Sequence, residues 1–174
     1  MDIKSRLFYL TLAIVVFVIA YSIGAYTDIS REEAERVRQQ FNEHEMEKID
    51  RNLIFVNNLK LSLEMFIPGI GIGFGIFSGF STGVTSNAIS ETSALLNNNS
   101  TLLNLIKPFG LMEVFAYGLS MSRSGIIIYQ IIKRKKWREY VIHPAIEVGI
   151  VIAVLFIAAT IEWNTIISQI DSKH

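Results

Sequence analysis

One segment of the sequence carries four polar side chains on a single helical stripe. At i, i+4, i+7 and i+11 these are Glu113, Tyr117, Ser120 and Ser124. A carboxyl, a phenol and two hydroxyls in line can form a hydrogen-bonded seam between helices, conduct protons or a solute, or take part in catalysis. No nucleophile lies at a suitable spacing from a base, so the sequence favours the seam or the solute path, and we expect no enzymatic activity.

A preceding apolar segment holds a second set of polar residues, where a membrane protein is expected to meet lipid. Its members are Asn57, Asn58, Lys60, Ser62 and Glu64. Asn58 and Ser62 are four residues apart and share a face. Polar groups inside a membrane turn toward the bundle interior, so Glu113 is expected to meet either Lys60 or Asn58.

Arg123 is the second ionisable residue within the segment that contains Glu113. It lies deeper than Glu113 and is within reach of either Glu64 or Glu147. His143 and Glu147 are four residues apart, which is a weak signal for a metal site, and the chain contains no cysteine. We therefore expect no metal and no cofactor.

A third apolar segment repeats a small residue at every fourth position. The repeat comprises Gly71, Gly75, Gly79 and Gly83, with Asn87 on the next step. Association in lipid depends on close backbone approach, which small residues on one face permit. The repeat predicts a helix-packing groove whose partner is another span or a second copy of the chain; the alternative is that the glycines line a pore.

The composition places these segments in one integral membrane domain. Of the 174 residues, 51% are hydrophobic and 18% are charged, and the formal net charge is zero. Long apolar blocks predict five spans, at about 6–26, 50–67, 69–90, 109–132 and 145–163. The expected fold is an all-α, polytopic helical bundle in the bilayer over residues 1–174, its first span retained, with no nucleic-acid partner.

The distribution of basic residues predicts the orientation. Lys4 and Arg6 precede the first span, and the cluster at 133–138 precedes the fifth, so both are expected to be cytoplasmic. The C-terminus and the loop after the third span are then extracellular. That loop contains overlapping glycosylation sequons at Asn98 and Asn99, which otherwise form a turn-rich linker.

The polar segment at about 30–50 is expected to form an extracellular helix. Ser30 and Glu33 fit a capping box at its start. No glycine or proline interrupts the chain from Ile29 to Ile67, which favours one helix of about 38 residues that continues into the second span. This extension is either a solvated connector or a docking helix for a partner or a second copy.

Two stretches resemble the stage II sporulation protein M family. They are FVNNLKLSLEMFIPGIGIGFG at 55–75 and KPFGLMEVFAYGLSMSRSG at 107–125, with Asn87 between them. Pro108, Gly110, Glu113 and Gly125 stand where the family has its proline, glycines and glutamate. Phe109 stands where the family often has histidine, so any role of that histidine is not carried over.

The resemblance implies a membrane scaffold rather than an enzyme. The bacterial namesake is associated with peptidoglycan-degrading partners in a membrane complex, and relatives suggest a component of a transport or envelope machine. The leading hypothesis is a multi-pass assembly subunit, with membrane or envelope partners and homo-oligomers. The alternative is a transporter subunit or small-solute permease that uses Asn58, Lys60, Glu113 and Arg123; an intramembrane enzyme is third.

Overall fold

The protein is built from α-helices. A computed structural model describes residues 3–37, 50–92, 105–134 and 137–171. Its long helices are α1 (Ile3–Ala25), α2 (Arg51–Met65), α3 (Gly71–Thr92), α4 (Pro108–Ile132) and α5 (Trp137–Asp171). Residues 31–37 are also helical, and the described ranges contain no strand. The all-α prediction is confirmed.

Helices that are consecutive in the chain alternate in direction. Phe17 of α1 lies beside Gly79 of α3, and Thr27 beyond α1 bonds Asn87 of the same helix, so α1 and α3 run parallel. Helix α2 likewise runs parallel to α4, because Asn58 bonds Glu113 and Ser62, one turn later, bonds Ser120 further along α4. The bond between Arg123 and Glu147 joins α4 to the antiparallel α5. Each helix therefore returns the chain across the bundle.

Helix α4 lies at the centre of the bundle. It packs against α1, α2, α3 and α5, and it is buried over much of its length. On one side its Tyr117 and Met121 pack with Phe17 and Met65. On the other side its Leu119 packs against α5. A helix that is covered on nearly all sides can hold polar groups away from both lipid and water.

Two helices are long and apolar enough to cross a membrane, judged among the described residues by length and composition alone. They cover Ile3–Ala25 and Val141–Ser168. Large apolar side chains such as Ile19 and Ile23 of α1 point away from the bundle, as lipid-facing residues do. These features support a membrane protein in general, without showing five spans. Helix α2, with 15 residues, is only about 22 Å long, shorter than a bilayer core of about 30 Å.

The continuous helix expected from Ile29 to Ile67 is interrupted, which corrects the prediction. Asp50 is extended, with φ −128° and ψ 166°, and its carboxylate accepts a hydrogen bond from the Leu53 amide at 2.7 Å. An aspartate that caps a helix in this way starts a new element at Arg51, and needs no glycine or proline to do so. Residues 38–49 of the predicted extension lie outside the described ranges.

The start of the polar segment has the predicted capping box. The Glu33 amide donates to Ser30 Oγ at 3.3 Å, and the Glu33 carboxylate accepts from the Ser30 amide and hydroxyl at 3.1 and 2.9 Å. The hydrogen bonds from Ser30 hold the pKa of Glu33 below its usual value. The helical segment 31–37 is thus defined locally by its own sequence.

The fifth helix begins earlier than the predicted span at 145–163. Helix α4 ends at Ile132, Arg134 has a left-handed φ of 49°, and α5 starts at Trp137 with Pro144 inside it. A proline removes only one helical hydrogen bond, and packing can keep the helix continuous through that position. The basic cluster at 133–138 therefore straddles a tight turn and the start of a helix.

Candidate functional site

The upper part of the polar stripe on α4 faces α2. Asn58 lies opposite, where its amide nitrogen donates to Glu113 at 2.5 Å and its carbonyl oxygen accepts from the Tyr117 hydroxyl at 3.0 Å. Of the two partners predicted for Glu113, the structure has Asn58. Both ends of the amide are used, so the three side chains form one closed network.

The lower part of the stripe continues the contact with α2. Ser62 and Ser120 are fully buried and their hydroxyls are 2.6 Å apart, while Ser120 also donates to the Ala116 carbonyl at 2.9 Å. One turn on, Ser124 donates to the Ile67 carbonyl at 2.7 Å, where α2 has just ended. The four predicted residues of α4 thus lie along a single seam, and each has a partner in or just after α2.

A second polar cluster joins α1, α4 and α5. Glu147 Oε1 accepts a hydrogen bond from Arg6 Nε at 2.9 Å, and Glu147 Oε2 accepts one from Arg123 Nε at 2.6 Å. A second nitrogen of Arg123 also donates to Oε1. Arg6 also donates to Ser122 Oγ at 2.6 Å and to the Leu119 carbonyl at 3.4 Å. Of the two partners predicted for Arg123, the structure has Glu147.

The charges of this cluster do not cancel. One carboxylate lies between two guanidinium groups, and the side chains of Arg6, Arg123 and Glu147 are only 17%, 5% and 12% exposed. The bidentate contact with Arg123 is the strong geometry for such a pair, because two donors meet two oxygens in a plane. The arrangement clamps three helices together, and it leaves Glu147 occupied rather than available for proton transfer or for a metal beside His143.

Three of the polar residues predicted on α2 lie outside both networks. Asn57 and Lys60 are exposed on the side of α2 that faces away from the seam, and Glu64 is partly exposed beside them. The cause is the helical period: Asn58 and Ser62 take the inward positions, so residues one or two places away turn outward. Asn58, Lys60, Glu113 and Arg123, proposed as one solute path, are therefore divided among three surfaces.

The last two glycines of the repeat, Gly79 and Gly83, lie against α1. A Cβ atom at Gly83 would overlap the Tyr21 carbonyl, and one at Gly79 would lie 3.1 Å from the Phe17 carbonyl oxygen. Gly24 of α1 is the reciprocal case, since a Cβ there would overlap the backbone of α3. The two backbones are therefore so close that a side chain is excluded at Gly83 and Gly24, while at Gly79 a Cβ would fit only tightly.

The first two glycines of the repeat, Gly71 and Gly75, have different neighbours. A Cβ at Gly71 would overlap the Met65 carbonyl, and one at Gly75 would overlap the side chain of Met121 on α4. Gly73, which is not part of the repeat, has open space at this position. All four predicted glycines thus lie at contacts within the chain, but the repeat serves three neighbouring elements rather than one groove.

Several residues of these contacts were not singled out from the sequence. They include Ser122, Gly24 and Gly118, and also Arg6, which the sequence indicated only as an orientation signal. A Cβ at Gly118 would overlap the side chain of Ile14. Neither the spacing of Gly118 from Gly125 nor the position of Ser122 beside Arg123 forms a recognisable pattern. Gly118 and Ser122 therefore could not be distinguished from lipid-facing residues in the sequence. Only their partners, which are distant in sequence, identify them.

The remaining predicted residues are placed as follows. The side-chain amide of Asn87 donates to the Thr27 carbonyl at 3.1 Å, which ties the end of α3 to the chain after α1. Asn98 and Asn99 lie outside the described ranges. Among the described residues, no group of three His, Asp or Glu side chains could hold a metal ion.

Comparison with known protein families identifies the family of this chain. The family model described as Stage II sporulation protein M matches residues 7–165, which is most of the chain. The chain belongs to the stage II sporulation protein M family. The resemblance inferred from the two sequence stretches is thereby confirmed. No curated protein and no solved structure matches the chain significantly.

The residues that carried the resemblance surround the seam in this member of the stage II sporulation protein M family. Pro108 opens α4 in its first turn, where proline is well tolerated. Gly110 is buried one turn before Glu113, and Gly125 lies beside Ile72 of α3. Phe109, in the histidine position, has the Lys107 ammonium 5.8 Å from its ring centroid, a cation–π contact at the helix end.

Proposed function

We propose that the protein is a multi-pass scaffold of the cell membrane, an assembly subunit that holds envelope or transport partners. One observation carries the proposal: each polar side chain of the α4 stripe is already bonded within the bundle, most of them to α2. A solute path requires polar groups that can exchange partners with the solute. A closed seam instead fixes the position of one helix against another.

The ion cluster supports the same proposal. It joins the first, fourth and fifth helices through a single carboxylate, so α1 and the first part of α5 are held at fixed positions against α4. The division of Asn58, Lys60 and Arg123 among separate surfaces disfavours the permease alternative. A bundle locked in this way is suited to present its ends to other proteins.

The alternating directions of the helices support five crossings of the membrane. With the N-terminus in the cytoplasm, residues 31–37 lie outside and the turn at Lys133 and Arg134 lies inside. The outer segment exposes Arg31 and Glu35, whose side chains are 92% and 56% accessible, and these suit a polar protein partner. The exposed basic turn suits anionic head groups or an acidic partner in the cytoplasm.

Cysteine accessibility distinguishes the scaffold from the permease. The chain has no cysteine, so Ser120→Cys introduces the only thiol. In native membranes we expect this thiol to stay unmodified by a charged, water-soluble maleimide, because Ser120 is fully buried between α2 and α4. The matched control is Ser168→Cys, which replaces an exposed serine near the end of α5 and is expected to react readily.

Rapid modification of Ser120→Cys in folded, membrane-embedded protein would refute the closed seam and favour a water-filled route.

A second experiment addresses the partners. Tagged full-length protein is retrieved from native membranes after crosslinking, with and without reversal of the charges at Arg31 and Glu35. We expect a specific membrane or envelope protein to be lost in the reversed variant, and a set of retrieved proteins that does not change would contradict an outer docking helix.

A further inference from the structure

Helix α2 has an outer face that the other described residues leave uncovered. At 100° per residue, an arc of about 120° contains Val56, Asn57, Lys60, Leu63 and Glu64. In the described part of the chain all five are exposed or partly exposed. A shallow groove of about 400 Å³ follows this face, and Ile67 and Leu59 complete its lining. The charges at its centre distinguish this groove from the groove of about 480 Å³ between α1 and α3, whose lining is entirely apolar.

The depth of Lys60 makes this face unusual for a membrane protein. Lys60 lies between Asn58 and Ser62, whose hydrogen bonds go to Glu113 and Ser120 of α4. The middle of α4 is residue 120, so Lys60 lies within about one turn of the middle of that helix. Given the proposed spanning of α4, on which this inference rests, Lys60 is too deep to reach either head-group layer easily.

The two charges on the face also have no partner in the part of the chain that the structure describes. Among the described residues, neither the Lys60 nor the Glu64 side chain forms a hydrogen bond or an ion pair. Pairing along their own helix would join a lysine to a glutamate four residues later, which is the less favourable order. Lipid supplies no countercharge, so the face needs a partner that brings both an acid and a base.

We propose that a second copy of this chain covers the face, in a two-fold dimer formed by α2 against α2. A surface that carries one positive and one negative group is complementary to itself when it is repeated by two-fold symmetry, because residue i of one copy meets residue j of the other and the reverse. Lys60 of each copy then pairs with Glu64 of its partner copy, and Val56 and Leu63 fill the two grooves. The dimer thus shields both charges from the lipid and neutralises them, and no other protein is needed.

Cysteine crosslinking tests the contact directly. Leu63→Cys and Ile150→Cys each place a single thiol on an exposed apolar position, 42% and 43% accessible, of α2 and α5. Under mild oxidation in native membranes, we expect Leu63→Cys to form a covalent dimer of twice the chain mass and Ile150→Cys to remain monomeric. A Leu63→Cys protein that stays monomeric, that joins a protein of another mass, or that crosslinks no better than the control overturns the proposal.

Mixed copies test the ion pairs. In the Leu63→Cys background, Lys60→Glu gives a face with two acids and Glu64→Lys gives a face with two bases. Each variant alone is expected to lose the covalent dimer, and coexpression of the two, with tags of different size, is expected to restore a mixed dimer. Pairing within one helix cannot produce this result, so undiminished single variants or an absent mixed dimer overturn the proposal.

A neutral variant covers the case in which a charge reversal prevents membrane insertion. Lys60→Met suits lipid better than lysine, so a monomer would tolerate it, whereas the proposed dimer loses both ion pairs and is expected to lose the covalent product. Unchanged crosslinking of Lys60→Met overturns the ion pairs. These results are independent of the test of the scaffold proposal. A monomeric chain whose Ser120→Cys thiol stays protected refutes only the dimer. A stable dimer whose Ser120→Cys thiol reacts refutes only the closed seam.

Discussion

At the scale of single residues, the arginine–glutamate cluster is the most sharply defined feature of the protein. Buried ion pairs are held by geometry and by additional hydrogen bonds, and removal of the shared partner leaves charges that nothing compensates. Glu147 is shared by Arg6 and Arg123, so the three positions are not equivalent. Loss of either arginine leaves a balanced pair, while loss of the glutamate leaves two buried cations.

The expected order of stability follows from this asymmetry. Glu147→Gln keeps the shape of the side chain and removes the charge, and we expect it to lower the free energy of unfolding by about 3–5 kcal/mol. Arg6→Met is expected to have the smallest effect, since Arg123 retains its bidentate contact, and Arg123→Met lies between the two. Denaturant titration of each purified variant in one detergent measures the order, and a Glu147→Gln protein as stable as Arg6→Met would contradict the shared-carboxylate interpretation.

At the scale of helices, α3 is positioned by the close approach of backbones rather than by interlocking side chains. Its Gly79 and Gly83 meet carbonyl groups of α1, its Gly71 meets the Met65 carbonyl at the end of α2, and Gly24 of α1 meets α3 in return. Each glycine weakens a helix in water by about 1 kcal/mol relative to alanine, but a membrane keeps the helical hydrogen bonds intact. The contact between α1 and α3 is therefore sensitive to a single added methyl group.

Two alanine substitutions in the same helix separate packing from helix propensity. Gly83→Ala adds a Cβ that would overlap the Tyr21 carbonyl, so we expect a loss of about 1–3 kcal/mol as the helices move apart. Gly73→Ala adds the same atom where nothing lies within 4 Å, and its stability is expected to be unchanged or slightly raised. Thermal unfolding in detergent measures both, and equal stability of the two variants would refute close packing at Gly83.

At the scale of the whole molecule, the alternation of helix directions determines which loops share a side. The helical segment 31–37 lies at the end of the bundle where α1 finishes, and the turn around Lys133 lies at the opposite end. If all five long helices cross the bilayer, these two surfaces face different compartments. The positive-inside rule then favours the cytoplasm for the end of the bundle that carries Lys4 and Lys133.

Single cysteines report this topology in intact cells. Glu32→Cys and Lys133→Cys replace exposed charged residues at the two ends of the bundle. We expect a membrane-impermeant maleimide to modify only Glu32→Cys from outside, and Lys133→Cys to react after the cells are opened. Modification of both from outside, or of Lys133→Cys alone, would contradict five crossings with a cytoplasmic N-terminus.

Much of the fold could be predicted because its signals are local. Apolar blocks and their periodicity gave the all-α class and the approximate positions of the helices, and Ser30 with Glu33 gave a helix start. The inward orientation of the α4 stripe also followed from its spacing, because a helix fixes which residues share a face. The break at Asp50 was missed, since a capping aspartate looks like any acidic residue of a polar helix until its carboxylate is seen on the Leu53 amide.

By itself, the sequence determined that this chain forms apolar helices, and which of its polar residues share one helical face. The tertiary structure alone decided the pairings: Asn58 rather than Lys60 for Glu113, Glu147 rather than Glu64 for Arg123, and three neighbours rather than one for the glycine repeat. The physical reason is that helical period and hydropathy act over a few residues. A hydrogen bond between residues 55 or 141 positions apart depends on how whole helices pack.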